Sequence, residues 1–202
     1  MARPFVIGLT GSIGMGKSET AKLFAAEGIP VFDSDATVHA LYAGPAAAMI
    51  EAAFPGSTKA GQVNRAALAR QVTGDPAALA RLEGLMHPLV ADARDRFLAQ
   101  ATDPIVLLDV PLLLETGLGV DAVVVATAAA HVQRERVLAR PGMTQDKFNA
   151  LLARQMSDME KRTKAHYLVI TDKGLDHARE QVKMILADIR TRRVRASESG
   201  KE

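Results

Sequence analysis

The fold is decided by the stretch Gly11-Ser12-Ile13-Gly14-Met15-Gly16-Lys17-Ser18. An apolar run from Phe5 to Thr10, typical of a buried strand, precedes it, and an amphipathic helical pattern follows from Lys17 to Glu27. Glycines let a loop in this position curl its main-chain N–H groups towards an anion, and the N-terminus of the helix adds positive potential. The stretch therefore predicts a phosphate-binding loop between a strand and a helix.

Two side chains of this loop carry the chemistry of a nucleotide site. We expect the ammonium group of Lys17 to reach the β- and γ-phosphates, and the hydroxyl group of Ser18 to give Mg²⁺ an oxygen ligand. The nucleotide contacts are predicted to extend from Gly11 to Glu19. ATP and Mg²⁺ are therefore the predicted cofactors.

Composition narrows the class of protein. The 202 residues are 48% apolar and only 4% aromatic, which predicts an aliphatic core. The chain has no cysteine, which excludes disulfides, thiolate metal sites and cysteine nucleophiles. The net charge of +2 is too small to indicate nucleic-acid binding, and no apolar stretch approaches the roughly 18 residues of a membrane span. We expect a cytoplasmic protein, monomeric or weakly homo-oligomeric, with no nucleic-acid or membrane partner.

The rest of the chain alternates between strand and helix patterns. This alternation predicts an α/β fold, a parallel five-stranded sheet flanked by helices. With the phosphate-binding loop after the first strand, the predicted fold is of the P-loop nucleoside-triphosphate-hydrolase type. The four strands after the first are predicted at Pro30 to Asp33, Ile105 to Asp109, Ala122 to Thr127 and Tyr167 to Thr171. A helix is predicted from His177 to Arg190, followed by a frayed terminus from Thr191 to Glu202.

The predicted sheet is interrupted after its second strand. Residues 36–103 show no strand pattern and are rich in alanine, so they are predicted to form several helices. We therefore predict one domain over residues 1–202, with a core of residues 1–35 and 104–202 and a helical insertion of about 36–103. A second helical stretch, about 130–164, is rich in Arg and Lys and is the predicted lid.

Acidic residues follow two predicted strands, at the edge where parallel sheets bind ligands. Asp33 and Asp35 close the second strand, where a kinase needs a carboxylate to orient the attacking hydroxyl and the next helix needs a cap. The pattern does not decide which acid has which role. Asp109, after the third strand, is either a carboxylate of the Mg²⁺ site or a cap. Glu115 either faces the same cleft or is a solvated surface acid.

Two arginines of the predicted lid share a helix face. Arg136 and Arg140 are four residues apart, the spacing at which side chains are neighbours on a helix. Facing the cleft, they would neutralise charge on the transferred phosphoryl group. A solvated basic helix explains the same spacing, and the pattern leaves both interpretations open.

Further motifs give the chain a specific resemblance. It resembles the dephospho-coenzyme A kinase family, whose members phosphorylate the ribose 3′-hydroxyl of dephospho-CoA. The family's elements are matched, in order, by Leu9 to Ser18 (L-T-G-G-I-G-x-G-K-S), Asp33-Ser34-Asp35 (D-x-D), Gly61 to Arg65 (G-x-x-x-R), Leu82 to Pro88 (L-E-x-x-x-H-P), Asp109 to Glu115 (D-V-P-L-L-x-E), Arg136 to Arg140 (R-x-x-x-R) and Arg154-Gln155. The resemblance extends from about residue 5 to residue 190.

The resemblance implies roles for residues that the pattern alone leaves open. It implies that Asp35 is the base acting on the 3′-hydroxyl and that Arg140 is a lid residue contacting the ATP phosphates. It implies that the helical insertion binds the acceptor. The residues it places near dephospho-CoA are Arg65, His87, Pro88, Asp109, Leu112 and Glu115.

The chain departs from the family's loop at two positions. Ser12 replaces the usual second glycine, so its backbone must adopt a φ value open to a residue with a side chain. Glu19 replaces the usual threonine after Ser18 and adds an acid near the phosphates.

Two other classes of protein share a phosphate-binding loop. A nucleoside, nucleotide or other small-metabolite kinase would have the same core and a different acceptor. A regulatory NTPase would hydrolyse its nucleotide slowly and act through a partner protein. The chain lacks the N-K-x-D pattern that reads guanine, which argues against a GTPase.

Overall fold

The computed structural model describes residues 3–199 and divides the chain into two compact units. The first unit combines the residues up to Val31 with those from Asp103 onwards. The second unit runs from Phe32 to Thr102.

Strands and helices alternate in the first unit, and helices dominate the second. In chain order the strands are β1 (Phe5–Thr10), β2 (Val31–Asp33), β3 (Thr58–Lys59), β4 (Gln62–Val63), β5 (Ile105–Asp109), β6 (Ala122–Thr127) and β7 (Tyr167–Ile170). The helices are α1 (Lys17–Ala26), α2 (Ser34–Tyr42), α3 (Ala47–Ala53), α4 (Arg65–Val72), α5 (Pro76–Gln100), α6 (Leu113–Thr116), α7 (Ala130–Leu138), α8 (Gln145–Leu152), α9 (Asp158–Thr163) and α10 (Leu175–Ser199).

Five strands form the main sheet in the order β2-β5-β1-β6-β7, and the predicted parallel sheet is confirmed. β1 lies at the centre and pairs in parallel with β5 and β6, and β6 pairs in parallel with β7. Every residue of β5 and β6 is buried, as expected of apolar strands covered on both faces. This order places the ends of β1 and β5 side by side, which positions the loop after β1 next to the residues that follow β5.

The core of the first unit is aliphatic, with one aromatic ring at its centre. α1 contributes the fully buried Phe24, and α10 contributes Leu186 and Ile189. These side chains pack with Leu9 of β1 and Val124 of β6. The apolar faces of α1 and α10 thus hold the sheet from which the loop projects.

The second unit has its own core. Helices α2 to α5 pack around the buried side chains of Ile50, Phe54 and Leu82. The guanidinium group of Arg81 lies 4.4 Å from the centroid of the Phe54 ring, in a cation–π contact. The helices of the second unit therefore share a buried apolar cluster of their own.

A short hairpin in the second unit was not predicted. β3 and β4 pair antiparallel, joined by Ala60 and Gly61 with φ values of 52° and 75°. The prediction that residues 36–103 contain no strand is therefore wrong. Strands of two residues are too short for an apolar run, and what sets this hairpin is a turn with positive φ at both central residues.

The last helix is longer than predicted. α10 continues to Ser199, so the prediction of a frayed terminus is wrong for residues 191–199. Arg192 pairs with Asp188 at 2.8 Å one turn earlier, and neither glycine nor proline interrupts the sequence before Gly200. Residues 200–202, the end of the predicted frayed terminus, lie outside the described residues.

None of the helices described between residues 3 and 199 combines the length and the apolar character that crossing a bilayer requires.

The packing of α10 predicts a difference in stability between two neighbouring positions. Leu186→Ala removes a fully buried side chain and should lower the free energy of unfolding by about 2–5 kcal/mol. Met184→Ala changes a side chain that is 63% exposed on the same helix. It should change the free energy of unfolding by less than about 0.5 kcal/mol. Urea titrations of both variants measure the effect, and equal losses would contradict the assigned core.

Candidate active site: a cradle of main-chain amides

The loop after β1 curls as predicted. Gly14 and Gly16 have φ values of 79° and 86°, in the left-handed region that disfavours side chains. Gly16 is also the N-cap residue of α1. Among residues 3–199, Ala60 is the sole non-glycine residue with positive φ, so Ser12 is not strained by replacing a glycine. The substitution at Ser12 is therefore compatible with the curled loop.

The N–H groups of the loop fall into two sets. Ile13 donates to Oε1 of Gln155 at 3.1 Å, and Met15 donates to the carbonyl oxygen of Ser12 at 3.1 Å. Within the described part of the chain, no acceptor lies in hydrogen-bonding range of a second set of main-chain N–H groups, those of Gly14, Gly16, Lys17 and Ser18. These four donors are left for an anion at the N-terminus of α1, where the N–H of Glu19 likewise has no acceptor among the described residues.

Lys17 provides a positive charge beside these donors. Its Nζ atom lies 2.6 Å from Oδ1 of Asp109, at the carboxyl end of β5. The two side chains are only 14% and 4% exposed, so each charge compensates for the other where solvation is poor. Asp109 does not cap α6, whose N-cap residue is Leu112. The pair holds the Lys17 ammonium group next to the loop.

Glu115 is an ion-paired anchor rather than a free surface acid. Its Oε1 atom accepts from Nζ of Lys161 at 2.7 Å and from the main-chain N–H of Met156 at 3.0 Å. Burial would raise the pKa of Glu115, but the hydrogen bonds from Lys161 and Met156 outweigh it and hold the pKa below its usual range. Lys161 has no exposed surface, so Glu115 fixes α9 to α6. A contact of Glu115 with the acceptor substrate stays a prediction.

The two acids at the end of β2, Asp33 and Asp35, have different contacts within the second unit. Asp33 is the N-cap of α2, and its Oδ1 atom accepts from the N–H of Ala36 at 2.9 Å. Asp35 lies in the first turn of α2, is exposed, and has no hydrogen bond or ion pair with other described residues. Asp33 therefore has the capping role, which leaves the carboxylate of Asp35 available.

The second unit also brings Arg65 to the helix face of Asp35. Nη1 of Arg65 lies 2.8 Å from Nε2 of His39, which must act as acceptor because a guanidinium group only donates. His39 is four residues from Asp35 on α2, so both lie on one face. His87 and Pro88, on α5, are exposed, as is Leu112 in the first unit.

The two arginines of α7 and its C-terminus do not share a helix face. Nη2 of Arg136 donates to the carbonyl oxygen of Thr171 at 2.7 Å, behind the loop. Arg140 is exposed and lies beyond the C-cap Ala139. The prediction of one shared face is wrong because α7 ends at Leu138, and Arg140 precedes Pro141, a position that disfavours helix.

Two residues behind the loop were not recognised in the sequence. Nε2 of Gln133 donates to the carbonyl oxygen of Ile13 at 2.8 Å. Oγ1 of Thr171 donates to the carbonyl oxygen of Met15 at 2.9 Å. Thr171 directly follows β7, so its place at a strand end is the signal that sequence analysis could have used. No sequence pattern distinguishes Gln133 from its polar neighbours.

The oxygen atoms near the loop suit a hard cation bound together with phosphates. Ser18 is exposed, and its hydroxyl group has no hydrogen bond with other described residues. The buried carboxylate of Asp109 lies at the neighbouring strand end. Residues 3–199 contain no cluster of three or more His, Cys, Asp or Glu side chains that could hold a metal ion. Mg²⁺ is commonly bound by one or two protein oxygens with phosphates and water, which these residues can supply.

The family model and the curated relatives that match this chain carry the same description, dephospho-CoA kinase. The family model of dephospho-CoA kinase matches residues 5–177. A dephospho-CoA kinase of Rhodopseudomonas palustris is 55% identical over 186 residues, which cover 90% of this chain and 94% of the relative. One of Mesorhizobium japonicum is 55% identical over 193 residues, which cover 93% of this chain and 98% of the relative. Among solved structures, TT1252 from Thermus thermophilus matches with a TM-score of 0.82 and 33% identity, covering 93% of this chain and 98% of that one.

The curled loop predicts the effect of adding one methyl group. In Gly14→Ala, the new Cβ atom would lie 2.5 Å from Cγ2 of Val137 and 3.0 Å from the carbonyl oxygen of Gln133, at a φ of +79°. The strained backbone and the close contacts should lower the free energy of unfolding by about 1–3 kcal/mol.

Gly119→Ala is the matched control, because the added Cβ atom meets nothing within 4 Å and φ is not positive. Its free energy of unfolding should stay within about 0.5 kcal/mol of the wild-type value. Denaturant titrations compare the two variants, and a Gly14→Ala protein as stable as Gly119→Ala would contradict the loop conformation.

Proposed function

The chain belongs to the dephospho-CoA kinase family, and we propose on that premise that it transfers the γ-phosphoryl group of ATP to the ribose 3′-hydroxyl of dephospho-CoA. The product is coenzyme A, and the reaction is the last step of its biosynthesis. The enzyme is thus a phosphotransferase with an alcohol group as acceptor. We further propose that it acts in the cytoplasm as a monomer or weak homo-oligomer.

The observation that carries the proposal is the set of four main-chain donors around Lys17. Gly14, Gly16, Lys17 and Ser18 present N–H groups without acceptors among the described residues, at the end of a helix dipole. Such a site is complementary to the terminal phosphates of a nucleotide and stabilises charge that develops on the transferred group. When the phosphates bind, the Lys17 ammonium group has two anionic partners, Asp109 and the nucleotide.

We propose that Mg²⁺ is held by the hydroxyl oxygen of Ser18 and the carboxylate of Asp109, directly or through water. The ion supplies neutralisation of phosphate charge during transfer. Asp109 also orients Lys17, so the Asp109 side chain positions the two cationic groups of the site relative to each other.

Asp35 is the proposed base. Its carboxylate is exposed and unbonded, whereas Asp33 is occupied as the cap of α2. A free carboxylate can accept the proton of an attacking hydroxyl and aim its oxygen at phosphorus. We propose that Arg140, on a lid formed by about residues 130–164, contacts the ATP phosphates.

We propose that the second unit binds the acceptor. Arg65 is held by His39 on the face of α2 that carries Asp35, which would bring an anionic substrate close to the proposed base. His87 and Pro88 are exposed on α5 and are proposed to line the same region. Leu112, with its large apolar side chain 41% exposed, and Glu115 are proposed contacts from the first unit.

The reaction itself is tested by a coupled assay with ATP, Mg²⁺ and purified dephospho-CoA. We expect ADP and coenzyme A to form in equal amounts. Phosphorylation of a nucleoside monophosphate instead of dephospho-CoA would favour another small-metabolite kinase. Hydrolysis of ATP without any acceptor product would contradict the proposed transfer.

The proposed role of Asp35 predicts that its substitution lowers kcat without changing the affinity for ATP. Asp35→Asn removes the proton acceptor, so kcat should fall by at least about 10²-fold while the Kd for ATP stays unchanged. Asp33→Asn is the matched control two residues away, because asparagine is as good an N-cap as aspartate and should leave kcat within about twofold. Steady-state kinetics and ATP titrations measure both, and an Asp35→Asn enzyme with wild-type kcat would exclude Asp35 as the base.

A further inference from the structure

The carbonyl groups of the loop are held from behind by side chains remote in sequence. Gln133, a buried residue of α7, donates through Nε2 to the oxygen of Ile13 at 2.8 Å. Thr171, the residue after β7, donates through Oγ1 to the oxygen of Met15 at 2.9 Å. These two hydrogen bonds act on alternate peptide units of the loop.

Because a peptide unit is planar, a hydrogen bond that fixes its C=O group also fixes the direction of its N–H group. The C=O of one residue and the N–H of the next are antiparallel in a trans peptide, and residues 3–199 contain no cis peptide bond. The bond to the Ile13 oxygen therefore fixes the direction of the Gly14 N–H. The bond to the Met15 oxygen fixes that of the Gly16 N–H in the same way. Gly14 and Gly16 belong to the set of donors without acceptors described above.

A neighbouring peptide unit shows the contrast. The unit between Ser12 and Ile13 uses both ends inside the protein, because Ser12 O accepts from Met15 N and Ile13 N donates to Gln155. This unit leaves no donor for a ligand. The donors from Gln133 and Thr171 are thus found on two of the peptide units whose N–H ends remain available.

The hydroxyl group of Thr171 is itself oriented. Nη1 of Arg136 donates to Oγ1 of Thr171 at 2.9 Å, so the single hydroxyl proton is directed to the Met15 oxygen. The Thr171 side chain lies so close to the loop that position 16 must be glycine, because a Cβ atom there would lie 2.9 Å from the same Oγ1 atom. Arg136 therefore acts on the loop through Thr171, in addition to its own longer bond from Nη1 to the oxygen of Gly14 at 3.5 Å.

We propose that Gln133 and Thr171 are positioning residues for the phosphoryl-transfer reaction. By holding the carbonyl ends of two peptide units, they aim the N–H groups of Gly14 and Gly16 at the phosphates of the nucleotide. The proposal rests on the proposed function, since it takes ATP as the ligand of the loop. A purely structural role for the same bonds would affect stability and leave the affinity for ATP unchanged.

Thr171→Val tests the proposal, because it keeps the shape of the side chain and removes the donor. We expect the Kd for ATP, measured by calorimetry, and the KM for ATP to rise about five- to tenfold, the ratio that corresponds to one hydrogen bond. The KM for dephospho-CoA should stay unchanged. Thr171→Ser keeps the hydroxyl group and should restore the affinity for ATP.

Thr191→Val is the matched control. It removes a hydroxyl-to-carbonyl bond of the same length, from Thr191 Oγ1 to Ala187 O at 2.9 Å, on α10 of the same unit. Its affinity for ATP should equal that of the wild type. Gln133→Met removes the other positioning donor and gives an independent measurement should Thr171→Val not fold.

The outcomes separate this proposal from the proposed function. A wild-type protein that fails to bind ATP would overturn the proposed function. A wild-type protein that binds ATP, with Thr171→Val or Gln133→Met folded and binding equally well, would overturn the positioning role alone. A rise in the KM values of both substrates by the same factor would also overturn it, because the loop would then not be the affected site.

Discussion

Main-chain N–H groups without acceptors, at the point where β1 ends and α1 begins, are the constraint on which the first unit depends. Unsatisfied donors destabilise a closed loop, so the surrounding structure must hold them in place. Three features hold these N–H groups in place: the left-handed backbone at Gly14 and Gly16, the charge of Lys17, and the polar side chains behind the loop. The parallel sheet contributes by placing the end of β5, and with it Asp109, beside the loop.

The segment from Asp109 to Glu115 links two ion pairs with different environments. Asp109 holds Lys17, whose side chain keeps some contact with solvent, whereas Glu115 holds Lys161, whose side chain has none. In the function proposed above, the Lys17 ammonium group of the first pair also contacts the nucleotide, whereas the second pair fixes α9 to α6. One short motif therefore both pairs with the charge of Lys17 and attaches α9.

The sequence was sufficient for features that depend on neighbouring residues. The strands β1, β5 and β6 have the predicted bounds because each is a continuous apolar run with a visible boundary: Gly11 follows β1, Asp109 closes β5 and Asp121 precedes β6. The roles of Asp33 and Asp35 needed the structure, since capping depends on the extended backbone of Asp33. Gln133 and Thr171 contact the loop across 120 and 156 residues of sequence, a proximity that only tertiary packing creates.

The burial of Lys161 determines whether reagents that modify lysine side chains can reach it. Acylating reagents modify lysine only as a neutral amine that they can reach. The ammonium group of Lys161 is paired with Glu115 and closed to solvent, whereas the side chain of Lys22 is 72% exposed. The folded protein thus shields from acylation the lysine that anchors α9, whereas an exposed lysine such as Lys22 stays within reach of the reagent.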